Sequence, residues 1–228
     1  MVTKNIFFNV LVSLLFFGGL FALAAKSYRA AIQKDTAIDN FAAKNNWQKF
    51  TGPKIDSSLI LPDWIIGMYP KPDLIRAYEL SADNVKGIFY IYEDLTNSQY
   101  AVNRPFTDPA RRILMFQIPT KDLEYADVIS KDLKSRVQRS ISPYLQVEGN
   151  FNKYFDIFVL PHKQREALEI LSPEVLALML DYGRNLNVEI RKNHIVVFKD
   201  LVPNTEITKE MQAIFAYGLK LRNEIDRK

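Results

Sequence analysis

The sequence predicts an α+β domain with a mainly antiparallel sheet and packed helices, carried behind an N-terminal transmembrane helix. Three observations make that prediction. Residues 6–25, IFFNVLVSLLFFGGLFALAA, are twenty residues without a charge, set between Lys4 and Lys26. From Leu74 the apolar residues alternate with period two, in segments that follow one another directly as neighbouring antiparallel strands do. Helix-start signals come later, at Ser172-Pro173-Glu174, before a last helical stretch from Thr205.

Composition bounds the class. The chain has 228 residues, 48% hydrophobic and 25% charged, which describes a globular protein with a sizeable core. Lys and Arg exceed Asp and Glu by 30 − 26 = 4, and the pI is about 9.1. An excess of that size, spread over the whole chain, argues against a nucleic-acid partner. The absence of cysteine excludes disulfides, thiolate nucleophiles and Cys-ligated metal sites.

The apolar run is long enough, at 1.5 Å per helical residue, to cover roughly 30 Å, one hydrocarbon core. Ile6, Phe7, Phe8, Leu14, Leu15, Phe16, Phe17, Leu20 and Phe21 are its expected membrane-anchor residues. A cleaved signal peptide is the alternative, with Ala22-Leu23-Ala24 as the small-x-small triplet, although the run exceeds a usual signal core. A buried soluble helix fits poorly, because the segment is apolar on every side. Lys26, Arg29 and Lys34 outnumber Lys4 across the run, which directs the C-terminal domain to the cytoplasm; an extracytoplasmic or secreted domain is the alternative. The predicted organisation is an anchor over 1–26, a helical stalk and connector over 27–72, and a single domain over 73–228.

Lys26 to Trp47 lacks Pro and Gly and reads as a helix that Gly52-Pro53 breaks. Pro53, Pro62, Pro70 and Pro72 then exclude a regular helix, while Leu59, Ile60, Leu61, Trp64, Ile65 and Ile66 suit a strip lying along the domain. Strands are predicted at Leu74–Leu80 and Ile88–Tyr92 around a turn at Ala82-Asp83-Asn84, at Gln99–Asn103, and at Ile113–Ile118 before Pro119. Tyr125, Ile129, Leu133 and Val137 recur every four residues, which predicts a helix over 125–140. A short strand follows at Leu145–Glu148. Phe151–Leu160 carries helical and strand spacing at once; its β-branched and aromatic residues favour a strand from Phe155. Helices are predicted over Lys163–Leu171 and from Ser172 to Gly183, a hairpin around Lys192-Asn193, and a last helix over Thr205–Arg227.

The run Val147-Glu148-Gly149-Asn150-Phe151-Asn152-Lys153-Tyr154-Phe155, then Pro161, then Ala167-Leu168-Glu169-Ile170-Leu171-Ser172-Pro173-Glu174-Val175-Leu176-Ala177-Leu178-Met179-Leu180, resembles an uncharacterised family of membrane-anchored bacterial proteins of candidate-phylum type. Its pattern is E-G-x-F-x-x-x-F, a proline, then A-L-x-I-x-x-P-x-x-M/L-x-L-L. The resemblance is good over residues 140–199. It implies a membrane-anchored architecture and a bacterial source, and it assigns no activity or catalytic residue. The motif positions themselves look structural, with a turn at Glu148-Gly149-Asn150.

Familiar catalytic equipment is missing. His162 and His194 each stand alone, without metal-ligand spacing. No Gly-x-Ser-x-Gly, P-loop or G-x-G-x-x-G occurs, so no cofactor is expected. Glu166 and Glu169 lie one helical turn apart beside Lys163 and Arg165, as on a solvated helix face. Asp156, alternating with Phe155 and Ile157, is expected to point outward. Lys131, Lys134, Arg136 and Arg139 form the densest basic cluster, an ordinary solvated face or a contact for anionic lipid. The expected function is a membrane-tethered, non-enzymatic binding or scaffolding domain with the bilayer and an unidentified protein or envelope component as partners. An envelope-associated hydrolase acting through acidic residues is the alternative.

Overall fold

A strand buried on one face alternates apolar and polar residues; a strand covered on both faces does not need to. Phe89-Tyr90-Ile91-Tyr92, Ile113-Leu114-Met115-Phe116 and Ile195-Val196-Val197-Phe198 are unbroken apolar runs, and all twelve residues are buried. In the computed structural model these runs are the middle of one antiparallel sheet. The structure describes residues 18–23, 25, 26, 29, 33, 35–50, 72–82, 85–94, 111–121, 126–130, 144–147, 149–159, 161–191, 193–201 and 205–227. Two compact units divide the chain, Met1–Asn45 and Asn46–Lys228.

In the first unit the described residues from 18 to 44 are helical. Leu20, Phe21 and Leu23 are exposed there, at 49%, 78% and 64%. Among the described residues no helix is long and apolar enough to cross a membrane. Most of the predicted anchor, including everything before residue 18, lies outside them. The helix stops at residue 44, earlier than the predicted break at Gly52-Pro53. The cause is local. The Asn45 side-chain amide donates to the Phe41 carbonyl at 2.8 Å, and Asn46 takes a left-handed backbone, φ 58°, which asparagine tolerates better than most residues.

The second unit contains nine described strands in the order β1-β2-β3-β4-β9-β8-β5-β7-β6, every neighbouring pair antiparallel. They are β1 (Gln48–Lys49), β2 (Pro72–Ala82), β3 (Val85–Asp94), β4 (Arg111–Pro119), β5 (Ala126–Ser130), β6 (Tyr144–Leu145), β7 (Phe155–Phe158), β8 (Asn187–Arg191) and β9 (His194–Leu201). The α+β class and the antiparallel sheet agree with the sequence. Two-residue loops close both hairpins, since Ala82 pairs with Val85 and Arg191 with His194. The strand expected at Gln99–Asn103 and the apolar strip at 59–66 lie outside the described residues.

One prediction fails clearly. Ala126–Ser130 is a strand, not the start of a helix, and all five residues are buried. The four-residue spacing of Tyr125 and Ile129 is outweighed by pairing: Ala126–Val128 align with Ile190–Val188, and Asp127–Ser130 with Phe158–Phe155. Phe151–Leu160 resolves its two periodicities in succession. Helix α1 (Phe151–Tyr154) makes one turn and β7 follows, with the Phe151 and Phe155 rings stacked at 4.8 Å. Asn152 fixes the approach to this turn, accepting from the Val147 amide at 2.9 Å.

Helices α2 (Gln164–Ile170), α3 (Pro173–Tyr182) and α4 (Ile207–Asp226) complete the unit. Ser172 caps α3, accepting from the Val175 amide, with Pro173 in the first turn as the sequence indicates. Gly183 closes α3 at φ −108°, so left-handed backbone is not the reason for glycine. A Cβ there would fall 2.7 Å from the Tyr217 ring of α4.

Helix α4 packs on β4 and β9, burying Ile207, Met211, Ile214, Tyr217, Gly218, Leu221 and Ile225. Lys199 of β9 meets Glu210 at 2.7 Å near one end; Thr120 donates to Asp226 at 2.6 Å at the other. Trp47 lies on the same face, 5.4 Å from Phe89 and 5.3 Å from Phe215 between ring centroids. The opposite sheet face gathers Ala77, Tyr90, Tyr92, Ile113, Met115, Ile129, Val196 and Phe198.

Two predictions follow from this packing. A Cβ on Gly218 would sit 2.6 Å from the buried Phe116 ring and 3.6 Å from Val197. Gly218→Val should therefore destabilise by about 2 kcal/mol or more in urea unfolding, beyond any gain in helix propensity. Burial also pushes the Tyr90 phenol up from 10.0 to about 12. The folded state holds this proton more tightly than the unfolded state, so its contribution is intact below pH 10 and lost as pH rises from about 10 to about 12. Alkaline unfolding followed by circular dichroism should show that fall, and Tyr90→Phe should make it shallower.

Candidate functional site

Three acidic side chains are drawn into one face of the sheet. Asp127 on β5 is directly opposite Glu189 on β8, and Asp156 on β7 is opposite Ile129, two residues along from Asp127. Opposed residues share a face, so the three carboxylates lie together on adjacent strands. Ladder geometry places the Cβ atoms of a directly opposed pair about 5 Å apart and those of a diagonal pair about 7–8 Å apart. Glu189 is 0% exposed, Asp156 5% and Asp127 7%.

Like charges directly opposed across a ladder repel, and buried carboxylates need compensating partners. Asp127, Asp156 and Glu189 all take part in polar interactions in the structure. Among the described residues no three His, Cys, Asp or Glu side chains are arranged to hold a metal ion. As they stand, the three acids are closed to solvent, and a substrate does not reach them without a local opening of the sheet.

Asn187 gives this region its stiffness. Its side-chain oxygen accepts from the Ser130 amide at 2.9 Å, and its side-chain nitrogen donates to the Phe198 carbonyl at 3.4 Å. One side chain therefore links β5 to β9 from between them, where β8 begins. Ser130 adds a hydroxyl bond to the Arg184 carbonyl at 2.9 Å, tying the end of β5 to the turn after α3.

The residues singled out by sequence are placed as follows. Ile6, Phe7, Phe8, Leu14, Leu15, Phe16 and Phe17 lie outside the described residues, as do Lys131, Lys134, Arg136 and Arg139. Leu20 and Phe21 are on the N-terminal helix and exposed. Glu169 pairs with Arg165 at 3.4 Å on an exposed face of α2. His162 is exposed, and His194 Nδ1 lies 2.6 Å from the Asn193 side-chain oxygen. Asp156 alternates with its apolar neighbours as expected, but the face it points to is itself covered, so it is buried. Asp127 and Glu189 were not distinguished by sequence. Asp127 falls within the stretch with helical spacing, and Glu189 sits in Val188-Glu189-Ile190, the pattern of a strand with a solvated face.

Tyr90 and Tyr92 add a second polar feature on the same sheet face, their rings 6.1 Å apart. The Tyr92 hydroxyl is buried and has no hydrogen-bond partner among the described residues. Burial, and then the neighbouring Tyr90, raise its pKa well above the ordinary phenol value.

These features define an antiparallel single-sheet α+β domain with a C-terminal helix clamped over its centre. No protein-family model matches the chain, and no curated protein matches it. Among solved structures it is similar to the crystal structure of the mycobacterial trehalose monomycolate transport factor A, TtfA, with a TM-score of 0.53 and 7% identity, covering 83% of this chain and 90% of that one. At that identity the likeness is one of fold.

The Asn187 bridge is testable. Asn187→Ala removes both bonds and leaves the Ser130 amide and the Phe198 carbonyl short of a partner. A loss of about 2–4 kcal/mol is expected in chemical unfolding, larger than for a surface Asn→Ala change.

Proposed function

We propose that this protein is a single-pass, membrane-tethered binding or scaffolding module without catalytic activity. The observation that carries this reading is the exposure of Leu20, Phe21 and Leu23, helical residues within the charge-free run 6–25. Exposed apolar surface costs about 25 cal/mol per Å² in water, a cost that a bilayer removes. The domain behind it keeps its three adjacent acids closed to solvent, in keeping with a structural role for them.

The likeness in fold to a trehalose monomycolate transport factor accords with a part in handling such a molecule. By that analogy, a lipid-linked sugar, or a protein that moves one, is the partner class to test first. The excess of cations after the apolar run supports a cytoplasmic over an extracytoplasmic domain.

Alkaline carbonate extraction of membranes tests the tether. The full chain should remain in the membrane pellet at its uncleaved mass, and a chain lacking residues 1–25 should move to the supernatant. Release of the full chain, or a mature mass beginning after Ala24, would sink the anchor reading. A reporter fused after Lys228 reads the side.

A further inference from the structure

We infer that Lys26 and Arg29 form a binding site for the headgroups of anionic phospholipids, at the point where the N-terminal helix leaves the bilayer. The inference rests on the anchor reading and adds the lipid class that the anchor recognises.

Both residues are helical and exposed. They follow directly on the exposed apolar side chains Leu20, Phe21 and Leu23. Three residues of helix separate them by about 4.5 Å along the axis and about 60° around it, so the two cations share one face. The interfacial layer on each side of a hydrocarbon core is about 5–7 Å deep. A helix that leaves the core at Ala25 therefore places both cations within that layer.

The distribution of acids supports the same site. The first 34 residues contain Lys4, Lys26, Arg29 and Lys34, and no Asp or Glu. Positions three and four residues from Lys26 and Arg29 carry no acid, so neither cation has an intrahelical ion-pair partner. Asp35 is the first acid, nine residues beyond Lys26 and about 13 Å further along the axis, outside the headgroup layer. An anionic headgroup offers the two cations the counter-charge that the sequence withholds. Lys26 supplies a point charge, and Arg29 supplies a planar fork suited to a phosphate.

The full chain and a Lys26→Gln/Arg29→Gln variant would be reconstituted into vesicles of equal phosphatidylcholine and phosphatidylglycerol. Each would then be extracted in mild detergent, and its retained lipids measured by native mass spectrometry. Wild type should retain phosphatidylglycerol in clear excess over phosphatidylcholine, and the excess should fall about fivefold for each cation removed. Both proteins should resist carbonate extraction from the vesicles. Equal lipid ratios on the two proteins, with both still resisting extraction, would overturn the headgroup site and leave the anchor standing. Extraction of both proteins by carbonate would overturn the anchor and the headgroup site together.

Discussion

The pairing of β4 with β9 holds the second unit together. The two strands lie far apart in the chain, yet they run side by side from Arg112 opposite Leu201 to Pro119 opposite His194. Without that seam the sheet would be two ribbons, β1-β2-β3-β4 and β9-β8-β5-β7-β6. Helix α4 lies across it, and Gly218 lets the helix backbone approach the Phe116 ring of β4 and Val197 of β9. The half-buried Lys199–Glu210 pair and the Thr120–Asp226 bond then fix the helix at either end. Closing a seam between strands so far apart in sequence costs loop-closure entropy, and the packing of α4 across both strands offsets it.

A sheet covered on both faces changes what its polar residues must do. On a half-exposed sheet Asp127, Asp156 and Glu189 would be solvated and of little account. Here they share a covered face, and each engages in polar interactions within the fold. Asn187 shows how the sheet accommodates a broken ladder, with one amide serving both neighbouring strands. The Tyr92 hydroxyl is buried on the same face with no hydrogen-bond partner among the described residues. A buried hydroxyl without a partner costs about 1–3 kcal/mol, and that cost is carried by the ring's burial beside Tyr90.

Local signals were readable wherever local chemistry decides the structure. Ser172-Pro173 starts α3, Arg191 and His194 pair at the end of the β8–β9 hairpin, and β2, β3 and β4 lie where the apolar segments predict strands. Local spacing misleads where pairing partners distant in the chain decide. Ala126–Ser130 has helical spacing to its C-terminal side, but β7 and β8 claim it as a strand. The burial of Asp156 was also latent in the sequence, though not in its own segment. The unbroken apolar runs of β3, β4 and β9 already require cover on both faces, and an acid on a neighbouring strand inherits that cover. The N-terminal helix ends for a smaller reason: Asn45 and Asn46 stop it before Gly52-Pro53 is reached.

The likeness to a transport factor at 7% identity fits this division. Strand period, apolar volume and one close helix approach specify such a sheet, and many side-chain sets satisfy them, so the fold persists where residues do not. Function has to be sought in what the fold does not require. The sheet hides Phe89, Phe116 and Phe198 almost completely, whereas the N-terminal helix leaves Phe21 at 78% exposure beside Leu20 and Leu23. That contrast between hidden and exposed side chains of the same kind is what the proposal of a membrane tether draws on. The order of charge along the same stretch, cations first and acids only from Asp35, is the second feature that the proposal needs and that the sheet does not explain.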